Sequence, residues 1–135
     1  MKKLILIPFF FLCMKGNAQS IYTEILSNTV LIDGLEVPKQ DFPIQMTWKE
    51  AKTVCDSLGN GWRLPNLEEL NILYRNQQSI GGFAKCPDCY YWSNRIIKKD
   101  ETIGWFKDFD KGYIIFQPRN NPKKRVRIVR NWILE

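Results

Sequence analysis

Apolar residues recur along this chain with two periods, and the change between them near position 80 divides it. From 47 to 77 the spacing is helical. Thr47 predicts the start of a first helix, with Glu50 three residues on to complete a capping box. Ala51, Val54, Cys55 and Leu58 fall on one face of it, and Gly59 suits a left-handed stop. A second cap stands at Asn66 with Glu69 three on. Leu67, Leu70 and Tyr74 form its inward stripe, Leu73 lies beside them, and the helix should run to about Gln77. After Gly81-Gly82 the period becomes two. Strands are predicted at 90–96, 103–109, 113–117 and 125–130, rich in aromatic and β-branched residues. Asp110-Lys111-Gly112 reads as a hairpin turn, and Arg119-Asn120-Asn121-Pro122 as another.

Ahead of the helices, residues 21–26 and 29–32 are β-friendly and are expected as short strands, the second closed by the turn pair Asp33-Gly34. Pro38 and Pro43 punctuate an extended passage from 35 to 46. No internal repeat and no low-complexity linker interrupts the chain. The pattern implies an α+β domain, two helices packed on a small antiparallel sheet.

The first residues change the picture of length and charge. Lys2 and Lys3, an apolar run from Leu4 to Met14, and Gly16-Asn17-Ala18 have the order of a cleaved export signal. The run is too short to span a bilayer. Cys13 raises a lipid anchor as an alternative, but Leu12 stands where a small residue is needed. The reading is a signal peptide over 1–18, an N-terminal β segment over 19–34 and one domain over 35–135. Removing 18 of 135 residues leaves 117, enough for a single core. The formal charge of +6 includes Lys2, Lys3 and Lys15, so it falls to a mild +3. No other run is apolar enough to cross a membrane.

Cys55, Cys86 and Cys89 remain, an odd number for an oxidising compartment. Cys86-Pro-Asp-Cys89 is a natural local pair and is taken as the disulfide; Cys55 bonding to one of them is the alternative. A redox motif should open a helix after a strand, whereas this pair leads into one. A zinc site needs two more ligands, and the chain has no His. No metal or cofactor is implied.

With these elements placed, the residues resemble the Lcl C-terminal domain family, exported bacterial domains of unknown function whose fold looks C-type-lectin-like. The resemblance rests on Thr47-Trp48-Lys49-Glu50-Ala51, Cys55, Trp62-Arg63-Leu64-Pro65-Asn66, Glu69-Leu70, Tyr91-Trp92-Ser93-Asn94, Trp105 to Phe109 with Gly112, and Val126-Arg127-Ile128-Val129-Arg130. It spans about 35–130 and implies structural roles for Trp48, Trp62, Arg63, Pro65, Glu69, Trp92, Arg127 and Arg130. The family often carries a Cys where this chain has Ile128, to pair with the one on the first helix. Such a staple closes a long loop and is worth roughly 2–5 kcal/mol. The resemblance therefore implies an apolar Cys55–Ile128 contact in its place. Asn66 and Asn94 replace the usual Thr and Ser, a mild change since Asn also caps helices.

Arg63 has two readings: an anchor for a ligand carboxylate, or a guanidinium bonded to Glu69 and carbonyls beneath the turn. The second fits its place between Trp62 and Leu64. Trp105, Asp108, Asp110 and Tyr113 form the best candidate ligand surface, since exposed aromatics beside acids can stack a sugar or help hold calcium. Sugar-binding, calcium-dependent lectin-like folds carry Glu-Pro-Asn and Trp-Asn-Asp, and neither occurs here. Lys123-Lys124-Arg125-Val126-Arg127 reads as an edge strand protected by charge rather than as a nucleic-acid contact. With no His, no phosphate loop and no paired carboxylates, the expectation is an exported, non-catalytic recognition domain for a glycan or a surface protein. Two alternatives accompany it. One is an enzyme of the formylglycine-generating, sulfatase-modifying type, which has a similar helix and turn pattern but a cysteine pair late in the chain. The other is a purely structural surface domain.

Overall fold

Local chemistry sets the helices, and the computed structural model, which describes residues 16–97, 100–116 and 122–132, shows where each is used. Residues 1–15 of the expected leader and 119–121 of the expected turn lie outside the described residues. The elements are α1 Gly16–Leu26, β1 Thr29–Ile32, β2 Leu35–Pro38, α2 Trp48–Leu58, α3 Leu67–Arg75, the single turn α4 Gln77–Ile80, β3 Tyr90–Ile97, β4 Asp100–Asp108, β5 Ile114–Phe116 and β6 Arg130–Asn131. Both capping boxes form. Thr47 accepts from the Glu50 amide while Glu50 accepts from the Thr47 amide, and Asn66 and Glu69 repeat the exchange.

Two three-stranded antiparallel sheets follow, ordered β1-β2-β6 and β3-β4-β5. Positive φ at both Asp33 and Gly34 gives the β1–β2 hairpin the tight turn its strand twist favours. In the second sheet Tyr91 faces Lys107, Trp92 faces Phe106, and Phe106 faces Ile115. Alternation sends successive side chains to opposite faces. Trp92, Phe106 and Ile115 thus enter a core with Trp48, Ala51, Val54 and Cys55 of α2, while Tyr91 enters another with Leu70 and Leu73 of α3. The two helices pack on the sheet through two separate cores.

Trp48 and Trp92 tie the first core to the backbone. The Trp48 indole donates to the Ser93 carbonyl at 2.8 Å, and the Trp92 indole to the Met46 carbonyl at 2.7 Å. Gly104 lies between them, where an added Cβ would come within 2.9 Å of both rings, so glycine is required for the close approach. Cys55 and Ile128 share this core, with 3% and 1% of their surfaces exposed.

Two expected strands are not strands. Residues 21–26 lie in helix α1, because Tyr22 and Ile25, three apart, both reach the first core and Tyr22 meets Phe42 edge-on at 5.0 Å. Burial on one helical face outweighs the β-propensity of Ile and Tyr. The stretch 125–130 joins a ladder only at its end, in β6. Its backbone is bonded instead to several segments in turn: Arg125 to Tyr90 and Trp92, Val126 to Phe42, and Val129 to Arg63. Alternation was read correctly as extended chain, but no single neighbour runs alongside it.

Candidate functional site

The turn between α2 and α3 is a clasp. Arg63 exchanges backbone hydrogen bonds with Val129 at 2.9 Å, and Pro65 accepts from the Asn94 amide at 2.8 Å. The Arg63 guanidinium donates to both Glu69 oxygens at 2.7 and 2.8 Å and to Asn131 Oδ1 at 2.7 Å. Trp62 is buried with the Arg130 guanidinium over its ring at 4.3 Å, and Arg130 also donates to Glu36 at 2.8 Å. Arg63, Glu69, Trp62 and Arg130 thus join the helix pair to the C-terminal segment and are engaged within the fold.

Burial alone would raise the Glu69 carboxyl. The Arg63 hydrogen bonds, the Asn66 amide and the guanidinium charge outweigh it, and hold Glu69 below the usual carboxylate value. Glu36 is held down in the same way by Arg130 and Thr29 against its own desolvation. A depressed folded pKa contributes stability above the unfolded value of 4.5 that is lost as pH falls through the folded one. Glu69→Gln should therefore cost about 1 kcal/mol at neutral pH, a modest figure because solvent screens a partly exposed pair. It should also flatten the acid side of a urea-denaturation pH series. An unchanged acid limb would show that the clasp contributes no pH-dependent stability.

A second cationic contact is fully buried. Arg127 donates from Nε to Asp41 at 2.8 Å and from Nη1 to the carbonyls of Pro38 and Gly81 at 3.0 Å, with its guanidinium 3.9 Å over the Phe83 ring. Tyr91 donates to the other Asp41 oxygen at 2.7 Å and accepts from the Ala84 amide. The basic run 123–127 is accordingly no free edge guard. Lys124 sits over Tyr90 and Phe106 at 4.9 and 4.4 Å, and Arg125 lies 3.8 Å from Asp88.

The four candidate ligand residues divide between two places. Trp105 lies on the face of the second sheet opposite Phe106. There it packs against Phe116 at 4.7 Å with the exposed Arg95 guanidinium 5.2 Å over its ring. Tyr113 is 62% exposed, and Ile114 and Phe116 of β5, which follows it, are also exposed. Asp108, buried, points to the other face. Its Oδ1 accepts from the amides of Asp110 and Lys111, so it caps its own turn. Asp110 is exposed at that turn, and its carbonyl accepts from Tyr74. Period-two reading found Trp105; the roles of Arg95 and Phe116 needed the cross-strand register.

Cys86 and Cys89 are joined by a disulfide just ahead of β3, with Cα atoms 4.5 Å apart. Asp108 Oδ1 lies 3.5 Å from Cys89 Sγ, but both sulfurs of that cluster are already bonded to each other, so it offers no metal a thiolate. Cys55 is free and buried, its thiol pushed up to about 12 chiefly by desolvation, and is held protonated. Neither arrangement matches a late cysteine pair of the sulfatase-modifying kind. The end of α3, α4, residues 81–86 and the Phe109–Asp110 turn enclose a cleft of about 1050 Å³. Sequence reading missed it, because its walls come from remote segments.

Two small antiparallel sheets, a capped helix pair and a C-terminal segment clasped back onto them define a C-type-lectin-like α+β domain. The crystal structure of botrocetin is similar in backbone, with a TM-score of 0.56 at 13% identity, over 79% of this chain and 98% of that one. Residues 25–130 match the Lcl C-terminal domain, and the chain belongs to that family. No curated protein matches it. Among the described residues no helix is long and apolar enough to cross a membrane.

Proposed function

We propose that this protein is an exported, non-catalytic recognition domain that binds a glycan or a protein at the bacterial surface or in the periplasm. The observation that carries this is the contrast between its two sets of side chains. Arg63, Arg127 and Arg130 are engaged with carboxylates of the fold, whereas Phe116, Tyr113 and Arg95 are exposed, two of them packed on the partly buried Trp105 ring. Rings and guanidinium groups of this kind dominate binding surfaces because they offer large contact area at small entropic cost. Export is supported by the leader pattern and by the disulfide. A cut near Ala18 would keep Tyr22 and Ile25 in the mature chain, where the first core uses them.

The test is a glycan array together with capture from a surface-protein extract, using the wild-type protein and Trp105→Ala. The expected result is a ligand bound by the wild type and weakened about ten-fold or more in the variant. Equal binding by the two would remove Trp105 from the contact surface. Failure to retain any saccharide or protein would count against recognition and favour a structural role.

A further inference from the structure

The cleft beside α3 has three aromatic residues in its lining, Tyr74, Phe83 and Phe109, each packed against other groups of the fold. Phe83 is enclosed by Phe109, stacked at 4.9 Å, by Tyr91 edge-on at 5.3 Å, and by the Arg127 guanidinium. Tyr74 carries the Lys107 ammonium over its ring at 4.8 Å, and even a methyl at Gly112 would press on that ring at 3.1 Å. Phe109 is itself buried. The rings of this cleft are thus largely used within the fold rather than presented as a stacking platform.

What the cleft offers is charge and hydrogen bonding. Arg75 and Lys85 line it, both exposed, and neither has an ion-pair partner among the described residues. The lone lining carboxylate is Asp110. Asn76 donates its amide N–H to the Ile72 carbonyl, and Gln77 donates to the carbonyls of Tyr74 and Phe109. Their amide oxygens remain uncommitted among the described residues, and Gln78 and Ser79 stand beside them. Acceptors of this kind suit the N–H groups of an extended backbone, and two cations against one acid favour carboxylates.

We propose that this cleft binds an acidic peptide in extended form, its carboxylates on Arg75 and Lys85 and its backbone N–H groups on the side-chain amides. The inference rests on the reading of the protein as a recognition domain, but not on the Trp105 surface. The test is fluorescence anisotropy with a dye-labelled alternating Gly-Glu octapeptide, compared with a Gly-Gln octapeptide and an oligogalacturonate. The Gly-Glu peptide should bind, more weakly as salt is raised, and Arg75→Gln and Lys85→Gln should each weaken it about ten-fold. Lys123→Gln, outside the cleft, should leave it unchanged. Both cleft cations are exposed, so far-UV circular dichroism should show native folding in the variants. Equal binding of Gly-Gln, preference for the oligogalacturonate, no peptide binding at millimolar concentration, or unchanged affinity in both cleft variants would each overturn the proposal. Loss of the array or capture ligand in Trp105→Ala, together with failure of the peptide to bind, would leave the recognition reading standing and remove only the cleft.

Discussion

Replacing Arg127 by methionine is expected to cost about 3–5 kcal/mol of folding free energy, the range found when one partner of a buried ion pair is removed. Methionine keeps most of the stem volume, so the loss is electrostatic rather than a cavity. The Arg127 side chain is completely buried and Asp41 nearly so, and the guanidinium also satisfies two carbonyls, one at the end of β2 and one in the loop after α4. Without it, Asp41, Pro38 and Gly81 lose partners together. In the wild type the burial of Asp41 already outweighs Arg127 and Tyr91 and raises its carboxyl above the usual value. Stability from such a group falls as pH rises through the interval between the unfolded and folded values. The penalty of the variant should therefore shrink toward acid pH, where a protonated Asp41 needs no counter-charge. Urea denaturation at neutral and acid pH measures both. A loss below about 1 kcal/mol at neutral pH would mean that solvent or a neighbour replaces the guanidinium.

Trp92→Ala is expected to be comparably damaging, about 3–5 kcal/mol, from the cavity and the transfer of so large a ring. Trp92 is 1% exposed, meets Phe106 edge-on at 5.6 Å and donates to the Met46 carbonyl. Removing it opens space against Gly104 and takes one of two donors from that carbonyl, which keeps the Lys124 amide at 2.9 Å. Trp92→Phe separates the two effects, since it keeps a ring but not the hydrogen bond. Thermal unfolding of both variants decides whether volume or the hydrogen bond contributes more. If Trp92→Ala unfolds like the wild type, the first core is not organised around this side chain.

Much of the clasp was legible because its parts are close in sequence. The capping boxes at Thr47 and Asn66 involve residues three apart, and Arg63 meets Glu69 six residues on. Cys86 and Cys89 offered a local ring, although sequence left Cys55 as a rival partner. The Arg127–Asp41 pair spans 86 residues, and nothing local at either end names the other. The candidate surface failed to cluster for a related reason. Alternation separates Trp105 from Asp108 onto opposite faces, and the Asp108 carboxylate is used by the amides of its own turn. The misread stretches share one cause as well. Residues 21–26 satisfy helical and extended spacing alike until a core chooses between them, and 125–130 looks like a strand because its backbone is extended, whatever lies beside it.

Elements set by neighbouring residues were readable from the chain alone: the capped helices, the glycine turns and the α+β class all depend on interactions within one or two turns of backbone. Contacts between distant segments were settled by folding. The sharing of the sheet between two cores, the enclosure of Arg127 and the cleft beside α3 arise from where those segments cross. Burial and charge at those crossings are properties of the assembled domain, since each depends on groups that approach one another only after the intervening chain has packed.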